Sequence, residues 1–225
     1  MRKYAKGVLG VGFCVLGFGN SPGTISNSQN PTPKTQHPKP FSRTYTIDLS
    51  QSRVIAHLSQ SGLIARRHPR HEVEVKDFNG KIEVSARDET EIEVEVEAQS
   101  RSLTNIDKTM SEFERGGFHN VLRVSVLETE KFPTIKFKSI SVTNVSSAGD
   151  HRKFTLNGDL ILHGVTRRVD VQVDLGKMTD QELRATGEGT LKQSDFGIQP
   201  YEGGLGTIKI GDEVKVEFII VAKSS

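Results

Sequence analysis

The run Glu91-Ile92-Glu93-Val94-Glu95-Val96-Glu97 alternates acid and aliphatic residue without a break. Two residues is the repeat of an extended strand, so Ile92, Val94 and Val96 share one face and the glutamates the other. A strand that is apolar on one side only must bury that side against other strands. Residues 134–143, 153–162, 168–174 and 213–222 alternate in the same way, and residues 44–48, 54–58, 72–75, 81–86, 122–128 and 182–193 are weaker candidates. Asn79-Gly80 and Gly211-Asp212 read as turns between strands, and Asn157-Gly158 as a bulge or tight turn. Residues 105–117 depart from the rhythm: Ile106, Met110 and Phe113 stand at helical spacing ahead of Gly116-Gly117, which predicts one short helix. An open sheet of so many one-sided strands would leave long edges exposed. The expected fold is therefore all-β, an antiparallel barrel of about eight strands with one short helix.

The first 19 residues have the layout of a secretory signal, with Arg2, Lys3 and Lys6 ahead of an apolar run too short to span a bilayer. Gly17 and Gly19 form a small-x-small site before Asn20. Cys14 sits inside the apolar run behind bulky Phe13, so cleavage rather than lipid attachment is expected. The only cysteine leaves with the leader, and the mature chain then has neither a disulfide nor a thiol nucleophile. Residues 20–43 are rich in Pro, Ser, Thr, Asn and Gln and read as a tether. The barrel is expected over residues 44–225, in a periplasmic or secreted protein.

The overall charge of +2 hides an asymmetry. Arg2, Lys3, Lys6, Lys34, Lys39 and Arg43 have no acidic neighbours; without these six, the 30 Lys and Arg fall to 24 against 28 Asp and Glu, a net charge of −4. A domain of that sign matches phosphate backbones poorly, which sets nucleic acid aside as a partner. No apolar run after the leader is long enough to span a bilayer as a helix, so no transmembrane segment is expected in the mature chain.

About eight strands enclose room for side chains alone or for one small ligand. The inward-facing candidates are Ile92, Val94, Val96, Ile135, Phe137, Phe154, Leu156, Leu160 and Leu162, followed by Val169, Val171, Val173, Val214, Val216 and Phe218. Phe196 joins them as a residue that plugs the interior or touches its contents. Alternation by itself leaves a hollow and a filled barrel equally open.

Three later motifs are more specific. Asn157-Gly158-Asp159-Leu160-Ile161-Leu162-His163-Gly164-Val165-Thr166-Arg167 is followed by Gly189-Thr190-Leu191-Lys192-Gln193-Ser194-Asp195-Phe196-Gly197-Ile198 and then by Ile210-Gly211-Asp212-Glu213-Val214-Lys215-Val216. Together they resemble the closing strands of the YceI-like family. Upstream, Tyr45-Thr46-Ile47-Asp48 with Ser52 resembles the family's opening strand, and Glu130-Lys131-Phe132-Pro133-Thr134-Ile135-Lys136-Phe137 its K-Y/F-P-x-I-x-F segment. The resemblance implies a lipocalin-like barrel, usually exported to the bacterial periplasm, that binds polyisoprenoid chains such as quinones or prenyl phosphates, or related long amphiphiles. No other cofactor is implied. The chain departs from the family pattern at residues 62–71, where a phenylalanine-rich stretch is replaced, and after Ala98, where the usual S-I-D-T is missing.

Few polar residues suggest chemistry. His163 reads either as a contact to a ligand headgroup or as part of a turn whose imidazole satisfies local groups. Ser194-Asp195 lacks the strand–turn–helix elbow of a nucleophile, and Gly203-Gly204-Leu205-Gly206 precedes a strand rather than the helix a phosphate loop needs. Arg66, Arg67, His68, Arg70 and His71 form a dense cationic cluster that reads as a headgroup clamp or a solvated loop. A metal site built from His57, His68 and His71 is disfavoured by the adjacent arginines and by the lack of a paired carboxylate or cysteine. The leading expectation is a non-enzymatic carrier of a long apolar amphiphile. The alternatives are a ligand-free interaction barrel, and a hydrolase or isomerase using His163 with Asp195 or Asp159.

Overall fold

The computed structural model describes residues 41–62, 70–85, 88 and 91–225. The leader and nearly all of the tether expected from the sequence lie outside the described residues, as do Arg66, Arg67 and His68.

One antiparallel sheet dominates the architecture. Its strands are β1 (Phe41–Ile47), β2 (Arg53–Ser61), β3 (Arg70–Val75), β4 (Phe78–Ser85), β5 (Ile92–Gln99), β6 (Leu103–Asn105), β7 (Thr134–Ala148), β8 (His151–Leu162), β9 (Val165–Met178), β10 (Glu182–Lys192), β11 (Glu202–Gly203) and β12 (Ile208–Ser224). Six of these are halves of interrupted lanes. Tyr45 to Ile47 pair with Ser224 to Ala222, and after an excursion at residues 48–52 the chain rejoins the same edge of β12, Arg53 opposite Ile219. β3 with β4 and β5 with β6 are broken at the same level. The three interrupted lanes and the continuous β7, β8, β9, β10 and β12 make an eight-lane cylinder, closed by β1 on β12. The all-β barrel with one short helix is thus the observed fold.

The excursion at residues 48–52 is held by Asp48. Its carboxylate pairs with Lys223 and accepts hydrogen bonds from Ser50 and Gln51, which together hold its pKa well below the usual carboxylate range. The alternating face of β5 behaves as its sequence requires. Glu95 and Glu97 stand opposite Lys138 and Lys136 of β7 and form ion pairs with them. A slip of one residue would turn those glutamates inward, so the pattern fixes the register.

Several local expectations are corrected. Asn79-Gly80 is not a turn but lies inside β4, and the interruption between the strands falls at Lys76-Asp77; a Cβ on Gly80 would meet the Glu95 carbonyl at 2.6 Å. Gly211-Asp212 marks a bulge within β12, between Ile210 and Val214. Asn157-Gly158 runs straight through β8, and the irregularity sits across from it on β7, between Ser139 and Ser141. Gly158 is required there because a Cβ would fall 2.5 Å from the Phe137 ring. The helix α1 spans Glu112–Val121, later than its apolar spacing predicts, because Ser111 and Glu114 form a reciprocal capping box. Residues 122–128, read above as a weak strand, begin instead with a π-helical turn at Leu122–Val126.

Two apolar clusters fill the ends of the barrel. At the lower end Tyr45, fully buried, packs with Val84, Leu175, Leu183 and Ala222, and its hydroxyl donates to the Thr179 carbonyl in the β9–β10 turn at 2.5 Å. At the upper end the strap of residues 106–133, which contains α1 and the π turn, sets Leu122, Val126 and Leu127 against Leu103, Leu162 and Phe196.

Candidate functional site

Between the two clusters the barrel is hollow. The cavity is about 350 Å³, at the small end of the range typical of ligand pockets. Ile92, Val94, Val96, Ile135, Phe137, Phe154, Leu156, Leu160, Leu162, Val169, Val171 and Phe218 all line it, as do Val173, Val214 and Val216. Alternation places them there, since each occupies the inward parity of its strand. Val94, Val96, Phe137 and Val171 are only partly buried although they point inward. Residues in a filled core are covered on every side, whereas these face open space.

Three groups of wall residues were not anticipated. Val54, Ala56 and Leu58 of β2 and Val73, Val75 and Ile82 on the paired lanes lie in strands whose alternation is weaker. Leu122, Val126 and Leu127 roof the chamber from the strap, where only a fold can place them. The third group is polar: Asp170, Thr190 and Gln193 are the wall residues with polar side chains, and all three lie near the upper ends of β9 and β10.

Phe196 needs correction as a wall residue. It is buried to 1% exposure in the upper cluster, in the turn Gln193–Phe196, and does not line the cavity. It plugs the end of the barrel, because the turn folds it back under the strap.

The polar candidates take other roles. His71 is not a surface headgroup contact; it is 5% exposed beneath the strap. Its Nδ1 lies 2.7 Å from Asp107 and its Nε2 faces Gln60, while the Phe118 ring of α1 stands 5.0 Å away. Asp107 also accepts from the Glu72 amide and from Asn105, and the Asn105 amide donates to Nε2 of His119 on α1. The network latches the strap onto β3 and β6. Burial, with Arg123 and Arg115 close by, pushes the His119 pKa down, in keeping with a ring nitrogen that accepts a hydrogen bond. Arg70, the first residue of β3, is exposed. His57 is turned to the opposite side of the sheet from His71, with Nε2 3.2 Å from Glu217.

His163 and Gly164 form the β8–β9 turn, both at positive φ. The imidazole Nε2 lies 2.9 Å from Glu128 and its ring stands against Phe132, with centroids 4.3 Å apart. The His163 side chain therefore holds the end of the strap and does not line the cavity. Neither acid proposed as its partner reaches it. Asp159 pairs with Arg168, and Ser194 next to Asp195 is bonded through both its amide and its hydroxyl to Asp212.

Comparison with known proteins agrees with this architecture. BcnA of Burkholderia cenocepacia is similar at 18% identity and a TM-score of 0.58, over 78% of this chain and 98% of that one. A polyisoprenoid-binding domain from Saccharophagus degradans, implicated in plant cell wall breakdown, is similar at 14% identity and a TM-score of 0.60, over 82% of this chain and 100% of that one. The YCEI protein of Campylobacter jejuni is similar at 14% identity and a TM-score of 0.52, over 68% and 84%. No curated protein matches the chain. At such identities the neighbours establish the fold alone, but the model of the YceI-like domain matches residues 45–222. The chain therefore belongs to the YceI-like family.

Proposed function

We propose that the protein is an exported carrier or sequestering protein that holds a long apolar amphiphile, a polyisoprenoid, quinone or similar lipid, inside its barrel. The observation that carries this reading is the cavity itself: about 350 Å³ of space inside the barrel with apolar walls except at Asp170, Thr190 and Gln193. Each methylene moved from water into such a wall contributes roughly 0.8 kcal/mol. Ordering the chain and immobilising it offset part of that gain, so affinity grows with apolar length rather than with polar anchors.

Family membership supports the reading, as does the description of the Saccharophagus domain as polyisoprenoid-binding. Export is supported by the signal-like layout of residues 1–19. A binding rather than catalytic role is supported by His163, whose imidazole is engaged by Glu128 away from the chamber, and by Ser194, engaged by Asp212.

Protein purified from its native host, extracted with organic solvent and analysed by mass spectrometry, should yield an apolar molecule in stoichiometric amount. Val96→Trp, which fills the chamber from β5, should lose that molecule while keeping the fold. Repeated recovery of an empty barrel that binds no quinone, prenyl phosphate or fatty amide would sink the proposal in favour of a ligand-free interaction barrel.

A further inference from the structure

A ligand needs a way into the chamber, and apolar clusters pack toward both ends of the barrel. Among the described residues, Tyr45 and its neighbours cluster at the lower end, and the strap and Phe196 at the upper. The wall between β9 and β10 offers a route through the side. Their ladder runs from Leu183 opposite Met178 to Gly189 opposite Val171, and stops there. Both strands continue upward on their other edges, β9 along β8 as far as Val165 and β10 along β12 as far as Lys192. The β8–β9 and β10–β12 pairs thus part company above Gly189 and Val171, with residues 165–170 and 190–192 unpaired across the gap.

The cavity reaches this parting. Asp170 and Thr190 occupy the outward parity of their strands and are exposed, yet both border the interior. Continuing the register would set them opposite one another. Gly189, at the crotch of the split, adds no side chain to obstruct it. Beside them Gln193 borders the cavity too, its Nε2 donating to the Gly211 carbonyl at 2.8 Å. The polar side chains that border the cavity are thus gathered beside this parting of the wall.

We propose that the amphiphile passes sideways between β9 and β10 and comes to rest with its polar end at Asp170, Thr190 and Gln193. This rests on the carrier reading and adds a route and a headgroup class. Asn157 already donates to one oxygen of Asp170, at 2.6 Å, so the carboxylate is an acceptor in use. A ligand group that donates a hydrogen bond, such as a hydroxyl, suits that rim, and a carboxylate in the same position is repelled.

Retinol, an isoprenoid alcohol that is itself fluorescent, serves as the probe, with retinoic acid as the same tail carrying an anion. The chain is tested with Cys14→Ser, and with Asp170→Cys and Thr190→Cys added so that oxidation staples β9 to β10. The stapled form is expected to take up and release retinol about tenfold more slowly than its reduced form. Val169→Ala with Leu191→Ala, which thins the same gap without a staple, is expected to speed exchange. Asp170→Asn is expected to narrow the preference for retinol over retinoic acid. Exchange rates unchanged both by the staple and by the thinned gap overturn the route. Equal affinity for the two probes, insensitive to Asp170→Asn, overturns the headgroup placement. Failure of the unmodified chain to bind retinol, together with an empty lipid extract, strikes instead at the carrier reading beneath it.

Discussion

Nε2 of His163 lies 2.9 Å from the Glu128 carboxylate, and this bond joins the β8–β9 turn to the end of the strap. Both residues hold positive φ, 53° and 43°, so each accepts a backbone conformation that side chains disfavour in order to meet the other. His163→Ala removes a charge-assisted bond and the contact with Phe132, and should cost about 1–3 kcal/mol in urea unfolding. His163→Asn suits positive φ and should recover part of that loss. Neither change should abolish lipid retention, because the imidazole does not line the cavity.

Gly158 and Phe137 form a matched pair across β8 and β7. A methyl at Gly158 would overlap the phenyl ring at 2.5 Å, so the ring must leave its place over the glycine. Gly158→Ala should destabilise by about 1–3 kcal/mol. Adding Phe137→Leu should cost less in the Gly158→Ala background than in the native one, which a double-mutant cycle of denaturation midpoints will show.

His119 gives the strap a pH dependence whose sign follows from its depressed pKa. Above the ordinary imidazole value of 6.5 both folded and unfolded rings are neutral and the latch has its full strength. As pH falls below 6.5 the unfolded chain takes up the proton first, so stability declines until the folded ring also titrates at its lower pKa. Burial and the two neighbouring guanidiniums cause the shift. His119→Gln should flatten the stability profile between about pH 7 and pH 5, measured by urea titration. An unchanged slope would remove His119 from the account.

Tyr45→Phe leaves the Thr179 carbonyl without its buried donor. The expected cost is about 1–2 kcal/mol. Amide exchange should rise in the β9–β10 turn and at the lower ends of β1 and β12, and stay unchanged in the strap.

Much of the barrel was legible because alternation states directly which side of a strand is inside. Ile92, Val94 and Val96 on β5 and Val169 and Val171 on β9 are cases where parity alone reaches the cavity wall. Parity failed at Leu122, Val124 and Val126. Their alternation imitates a strand, yet Leu122 and Val126 are buried while Val124 is 64% exposed. Four residues apart is helical spacing, and the short window could not tell the two periods apart. His71 was misplaced for another reason. Its neighbours in sequence are cationic, but its partners Asp107 and Gln60 are 36 and 11 residues away, and only the folded strap brings them together. The parting of β9 from β10 went unread, because β10 keeps alternating through Leu191 and the break at Thr166-Arg167-Arg168 reads simply as the start of a strand.

The strap departs from β6 and returns at β7, and it roofs the chamber with side chains rather than as a lane of the barrel. Its length and apolar residues can therefore change without displacing any strand register. Descendants of this chain could admit longer, shorter or bulkier guests by rewriting some thirty residues, while the cylinder that keeps them folded is inherited intact. The same separation offers a protein engineer a replaceable roof on a fixed vessel.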